Sequence, residues 1–277
     1  MSHNRFRLIF LSSAIAVSAV SQADITFYDL FKNAAYGQTS AAQPTTAYSW
    51  DFGARIFSNA DGDVTAGNVD LPVSVGGSIS LSAAGPRSAQ LLDYGYADQA
   101  AIDAAYPDGT YDYSVTSGTL AGQSGSLTVP VSVYSDQVPY LTGSSFADLQ
   151  SATAGNSVNV TWDAYTVSST PTYQLVYFNV FDFTTSSYVV DASGTNGVYG
   201  SQSIDGSVLV AGHHYGWSLY FDPRFEWANS GFNGTAASIV GFDRVTNGDF
   251  TVAAVPEPAS FAVLGLGALG ILKRRRR

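Results

Sequence analysis

The chain has 277 residues, no cysteine and a formal net charge of −10 at pH 7. Without cysteine there are no disulfides, thiolate metal sites or cysteine nucleophiles, so stability rests on packing. The acidic excess sets the surface against nucleic acid and anionic lipid. It is larger still in the middle of the chain. Between Asp24 and Val255 the basic residues are Lys32, Arg55, Arg87, Arg224 and Arg244, against 21 acidic ones, a net of −16.

The amino end carries Arg5 and Arg7, then the apolar run Leu8–Val20, then Ser21-Gln22-Ala23. A positive n-region, a short apolar h-region and small residues at −3 and −1 define a secretory signal peptide. Cleavage is expected after Ala23, so residues 1–23 are excluded from the fold.

The body that follows is all-β in composition. The whole chain has 20 aspartates but only two glutamates and two lysines. Val, Thr, Tyr, Phe, Ser and Gly replace the good helix formers. Turn dipeptides recur at Asp61-Gly62, Asp108-Gly109, Asn196-Gly197, Asp205-Gly206 and Asn247-Gly248. Short strands between frequent turns predict sandwiches. Two in tandem are expected, over 24–140 and 141–254.

In the first segment, residues 33–47 read as a loop and the Ala-rich stretch Ala97–Ala105 as a short helix ended by Tyr106-Pro107. Tyr111, Tyr113 and Val115 alternate with polar residues, as do Leu127, Val129, Val131 and Val133. Period-2 alternation places one face in a core and one in water. Pro130 marks the second of these strands as edge or bulged.

In the second segment, Val158, Val160 and Trp162 share one strand face, Tyr173–Phe181 can bury both faces, and Tyr188–Val190 is a short third strand. Leu209-x-x-Gly212-x-x-Tyr215 then leads into Trp217, Leu219 and Phe221 at period 2. A leucine six residues before a tyrosine that opens a strand resembles the tyrosine corner of fibronectin type III and related immunoglobulin-like domains. The resemblance covers roughly residues 155–225. It implies a β-sandwich in which the Tyr215 hydroxyl ties back to the backbone upstream. The sequence departs from that pattern at Asp222-Pro223-Arg224-Phe225-Glu226-Trp227, and a last strand is expected near Asp249–Val255 after a long connection.

Several groups could carry chemistry. His213 and His214 are strand neighbours, which point to opposite faces and seldom share an ion. Asn59-Ala60-Asp61-Gly62-Asp63 with Asp70 is a faint acidic calcium loop, but Val64 stands where such a loop needs glycine. Asp222 and Glu226 could form a carboxylate pair, for which a salt-bridged loop is the simpler reading. No G-x-S-x-G occurs, and neither histidine has a triad setting. No catalytic residue, metal site or cofactor is therefore assigned. The aromatic residues Tyr220, Phe225, Trp227 and Phe232 are the candidate carbohydrate contacts, since flat rings flanked by polar groups can stack on sugars. Aromatic filling of a sandwich core is the plainer alternative.

The carboxyl end reads Val255-Pro256-Glu257-Pro258, an apolar run Ala259–Leu272, then Lys273, Arg274, Arg275, Arg276 and Arg277. An apolar run can enter lipid, while the basic cluster stays on the cytoplasmic side. At 1.5 Å per residue the run reaches only about 21 Å as a helix, short of the hydrocarbon thickness, which suits a temporary anchor. This order of features resembles the PEP-CTERM sorting signal of Gram-negative bacteria, over residues 255–277. That resemblance implies export, brief anchoring in the inner membrane, processing near Pro256, Glu257 and Pro258 by an exosortase-type enzyme, and release to the cell surface or an exopolysaccharide matrix. Gly265-x-Gly267-x-x-Gly270 matches a dinucleotide-binding string, but the chain ends too soon for the strand, helix and acidic residue that string needs. The expectation is an exported, non-enzymatic structural or adhesive protein, with exopolysaccharide binding as the alternative and a secreted hydrolase as the lesser one.

Overall fold

The computed structural model describes residues 24–131, 133–234 and 236–253. The signal peptide with Ala23, and the segment 255–277 with Pro256, Glu257, Pro258 and the Lys273–Arg277 cluster, lie outside the described residues, as does the glycine string at 265–270.

The body is all-β. In chain order the elements are β1 (Ile25–Gly37), β2 (Ser49–Ser58), β3 (Ala66–Asp70), β4 (Ser78–Gly85), β5 (Ser88–Tyr96), α1 (Gln99–Ala105), β6 (Gly109–Ser117), β7 (Ser124–Val129), α2 (Ser145–Gln150), β8 (Val158–Thr161), β9 (Tyr173–Asp182), β10 (Ser187–Thr195), β11 (Ser201–Ile204), β12 (His214–Gly231) and β13 (Ala236–Thr251). Eleven strands form one sheet in the order β10-β9-β12-β13-β1-β2-β5-β4-β3-β6-β7, while β8 and β11 pair separately. Each pairing between these strands is antiparallel except that of β1 with β13, which run parallel with Phe31 beside Gly241 and Asn33 beside Asp243.

The long hairpin β12–β13 organises the molecule. Its register holds without a bulge from His214↔Thr251 to Trp227↔Ser238. Side chains two apart therefore stay on one face throughout. One face feeds two hydrophobic cores side by side. Tyr215, Trp217, Leu219, Phe221 and Phe250 enter the second core with Trp162 and Phe178, against β8, β11 and α2. Phe225, Val240 and Phe242 enter the first core with Tyr28, Phe52, Tyr111 and Tyr113. At the far end of the sheet β7 comes back to the hairpin. The Phe232 amide donates to Ser124 O at 3.1 Å, and the Tyr28 hydroxyl donates to Ser126 O at 2.7 Å. The first core is thereby enclosed, and the second segment supplies part of it.

Local signals account for several boundaries. Asp98 caps α1, accepting from the Ala101 amide at 2.8 Å, and the helix stops at Tyr106 before Pro107. The Tyr215 hydroxyl donates to Val208 O at 3.0 Å and accepts from the Val210 amide at 2.9 Å, the tie that the corner motif implies. Gly248 lies under the indole of Trp217, where a Cβ would sit 2.6 Å from Nε1.

Four expectations are corrected. Residues 33–37 are not loop but the end of β1, because this strand is central and both its neighbours satisfy its backbone. The strand through Leu127 ends at Val129, and Pro130, which has no N–H to give, stops it, leaving Val131 exposed. The Tyr215 strand does not stop at Asp222 but runs to Gly231, since β13 pairs along it. Pro223 is tolerated where β9 is running out, one residue before Arg224 meets Tyr173. The final strand is not 249–255 but begins at Ala236. The connection before it is a tight turn in which Phe232, Asn233 and Gly234 all have positive φ, with Asn233-Gly234 as its sequence signature.

Candidate functional site

The second face of the hairpin carries charge instead of core. Asp222 and Arg224 on β12, Asp243 on β13, Asp29 and Asn33 on β1, and Asp51 and Arg55 on β2 all project there by register. Asp29, Asn33, Asp222 and Asp243 are buried. Gly53 makes room for Phe31 to lie across β2, since a Cβ there would overlap its ring, and the Arg55 guanidinium stacks over Phe31 at 4.8 Å. Large side chains thus cover small charged ones within a single sheet face.

Two ion pairs balance most of this charge. Arg55 grips Asp29 with Nε and Nη2, and Arg224 Nη2 donates to Asp222 Oδ2 at 2.6 Å. Burial opposes the charge on each arginine, but the partner carboxylate wins and holds the guanidinium above its ordinary range. Asp51 and Asp243 are the acids left over; Asp51 accepts from Ser49 and the Gly95 amide, and Asp243 is the more deeply buried. Burial, then the charge and hydrogen bond of Asp222, push its carboxyl well above the usual range. Its Oδ1 and Asp222 Oδ1 both converge over Gly241, 3.6 and 3.5 Å from where a Cβ would stand. As two carboxylates neither oxygen has a donor. A single proton on Asp243, donated to Asp222, satisfies both. Nearby, burial and then the Asp222 charge raise the Tyr177 hydroxyl to about 12.

The four candidate carbohydrate residues do not form one strip. Tyr220 is buried on the charged face with Ala35, Val245 and Tyr177. Phe232 is buried in the hairpin turn, edge-on to Tyr28 at 4.9 Å. Phe225 and Trp227 are brought together on the core-side face, rings 6.2 Å apart and 15° from parallel. Phe225 packs partly into the first core, and Trp227 is 39% exposed. Trp227 borders an open depression of about 410 Å³ whose other walls are Ser126, Thr128, Pro130 and Ser238. The return of β7 to the hairpin creates this depression, so no local signal announces its hydroxyl wall.

The remaining candidates are dispersed. His213 Nδ1 lies 2.8 Å from Asp182 Oδ2, and His214 Nε2 lies 2.9 Å from Asp249 Oδ2. Burial alone would raise the Asp182 carboxyl, but hydrogen bonds from His213, Thr184 and Thr185 hold it down to about 2. In the loop after β2, Asp61 pairs with Arg87, Asp63 accepts from Thr119, and Asn59 accepts from the Asp24 amide. These side chains are spent on separate partners. Among the described residues no group of three His, Cys, Asp or Glu side chains is placed to hold a metal ion. Glu226 follows Asp222 and Arg224 along the charged face by alternation rather than facing Asp222 across a cleft. Asp243 escaped sequence reasoning, although Phe242-Asp243-Arg244 repeats the aromatic–acid–arginine texture of Phe221–Arg224.

Comparison with known proteins adds the carboxyl end to this picture. Residues 254–277 match the family described as the PEP-CTERM protein-sorting motif. No curated protein matches the chain in sequence. In structure the chain is similar to the chicken CNTN1 FN1-FN3 domains, at 8% identity and a TM-score of 0.26, over 83% of this chain and 66% of that one. It is also similar to a tetra-tandem repeat in the extending region of a large adhesion protein, at 14% identity and a TM-score of 0.23, over 80% of this chain and 49% of that one. This chain thus spans less than two thirds of either. The sorting motif implies an exosortase-sorted surface protein, exported and anchored at the membrane during sorting in Gram-negative bacteria. Among the described residues no helix is long and apolar enough to cross a membrane.

Proposed function

We propose that the protein is a structural, non-enzymatic component of the cell surface or of its exopolysaccharide matrix. The observation that carries this reading is the sorting motif at 254–277, joined to a body built as one continuous sheet. Long strands that cross two cores transmit load from one end of the body to the other. The strongly acidic surface favours solubility outside the cell. The signal peptide ending at Ala23 delivers the chain to the inner membrane. The basic cluster Lys273–Arg277 holds it there, and an exosortase-type enzyme acts near Pro256, Glu257 and Pro258. The 24–140 and 141–254 segments each supply most of one sandwich core, and the second also lends Phe232, Val240 and Phe242 to the first. The test is fractionation of the intact organism. The parent body should be found in the surface or matrix fraction, and a chain lacking 255–277 should not be retained there. Equal retention of both would refute the sorting role.

Exopolysaccharide binding is the second reading, favoured by Trp227. Its half-exposed indole, backed by Phe225, offers a flat apolar face beside the Ser126 and Thr128 hydroxyls. A sugar ring presents apolar C–H groups to such a face and polar rims to hydroxyls. Trp227→Ala should abolish retardation in gels containing the organism's own polysaccharide while leaving the unfolding midpoint close to the parent's. Unchanged retardation would assign Trp227 to packing alone.

A further inference from the structure

Lys32 is the only lysine between the two targeting segments, and it is buried completely. It stands on the core-facing side of β1, with Phe52 and Phe242 as its cross-strand neighbours. Its stem therefore lies among aromatic rings. Its Nζ is 2.6 Å from Asp103 Oδ1 and 3.8 Å from Asp108 Oδ1. Asp103 is on α1, and Asp108 lies just beyond Pro107 at the start of β6. Tyr111 is buried beside them. Its own burial, then the charges of Asp108 and Asp103, push its phenol above the ordinary range.

Two carboxyls serving one buried amine is more than a salt bridge requires. In apolar surroundings an ammonium–carboxylate pair is costly, and transfer of one proton to give a neutral amine and a neutral acid relieves that cost. A neutral amine held in hydrogen-bond contact with a carboxyl group is a nucleophile beside an electrophile. Fixed contact of this kind substitutes for very high reactant concentration.

We propose that Lys32 and Asp103 are joined by an intramolecular amide bond, with Asp108 as the acid–base group that moves the protons. The Lys32 Nζ lone pair attacks Cγ of Asp103, forming the C–N bond. Asp108 takes a proton from the nitrogen and returns one to the departing oxygen of Asp103, whose C–O bond breaks. An ammonium and a carboxylate become an amide and one water, so charge and atoms balance with no oxidant, activating nucleotide or metal. Asp108 is 38% exposed, which gives the released water a path out. The bond links β1 to α1 across 71 residues of chain. It supplies, without cysteine, the covalent staple that an exported load-bearing body otherwise lacks.

The test is mass spectrometry of a tryptic digest of the purified protein. Cleavage after Arg55, Arg87 and Arg224 separates the peptide containing Lys32 from the peptide 88–224 containing Asp103 and Asp108. The bond predicts one joined species, lighter than the sum of the two by one water, with no cleavage after Lys32. Asp108→Asn should give the two peptides separately and restore cleavage after Lys32, in a protein whose circular dichroism matches the parent's. Asp103→Ala should do the same. Separate, full-mass peptides from the parent would overturn the proposal. A joined species persisting in Asp108→Asn would overturn the role of Asp108.

Discussion

Asp243→Asn tests whether the charged face stores a proton. In the native state Asp243 is 5% exposed and shares its proton with Asp222. Unfolding returns it to water, where an aspartate titrates near 4. The native pKa is the higher of the two, so the folded state holds a proton that the unfolded state has released. Stability from this group is therefore fully present below about pH 4. It falls as pH rises toward the native value, by about 1.4 kcal/mol for each pH unit inside the window. Asparagine keeps a donor for Asp222 Oδ1 in place of the acid O–H and has nothing to titrate. Urea unfolding followed by tryptophan fluorescence between pH 4 and 8 should show parent and variant converging at pH 4. The variant should be increasingly the more stable toward pH 8. Parallel curves, or a variant that is weaker at pH 8, would mean that Asp243 is ionised and paired with Arg55 and Arg224, and the shared-proton argument would fail.

Three further outcomes follow from the geometry. Tyr215→Phe removes the hydroxyl that holds Val208 O and the part-buried Val210 amide, a loss of about 1 kcal/mol in urea unfolding. Gly248→Ala drives a methyl into the Trp217 indole and should cost about 1–3 kcal/mol by overpacking, with a shift in tryptophan emission. The pair of His213 and Asp182 acts in the opposite sense to Asp243. Asp182 is depressed to about 2 in the native state, so its contribution is present above about pH 4 and lost as pH falls through 2. Acid titration of Asp182→Asn should show a shallower loss there than the parent.

Patterns confined to a few neighbouring residues are legible in the sequence. Alternation in Tyr111–Val115 and Tyr215–Phe221 reports strands, because the pleat repeats every two residues. Leu209-x-x-Gly212-x-x-Tyr215 reports a corner, because the hydroxyl reaches backbone only a few residues away. Asp222–Trp227 misleads, since charged residues in a central strand look like loop until a second charged strand is set beside them. The carbohydrate candidates mislead in the same way. Tyr220 and Phe225 are close in sequence but leave opposite faces of β12.

The all-β class and the carboxyl-terminal sorting motif were determined by the sequence itself, because composition, hydropathy and charge act along the chain without reference to distant residues. Tertiary structure alone decided the rest. It paired β1 with β13 from opposite ends of the body, placed Asp243 against Asp222, brought Lys32 to Asp103 and Asp108, and left Trp227 in the light while hiding Phe232. Each of these depends on which strands become neighbours, and strand neighbourhood is fixed by burying two cores at once rather than by any local propensity.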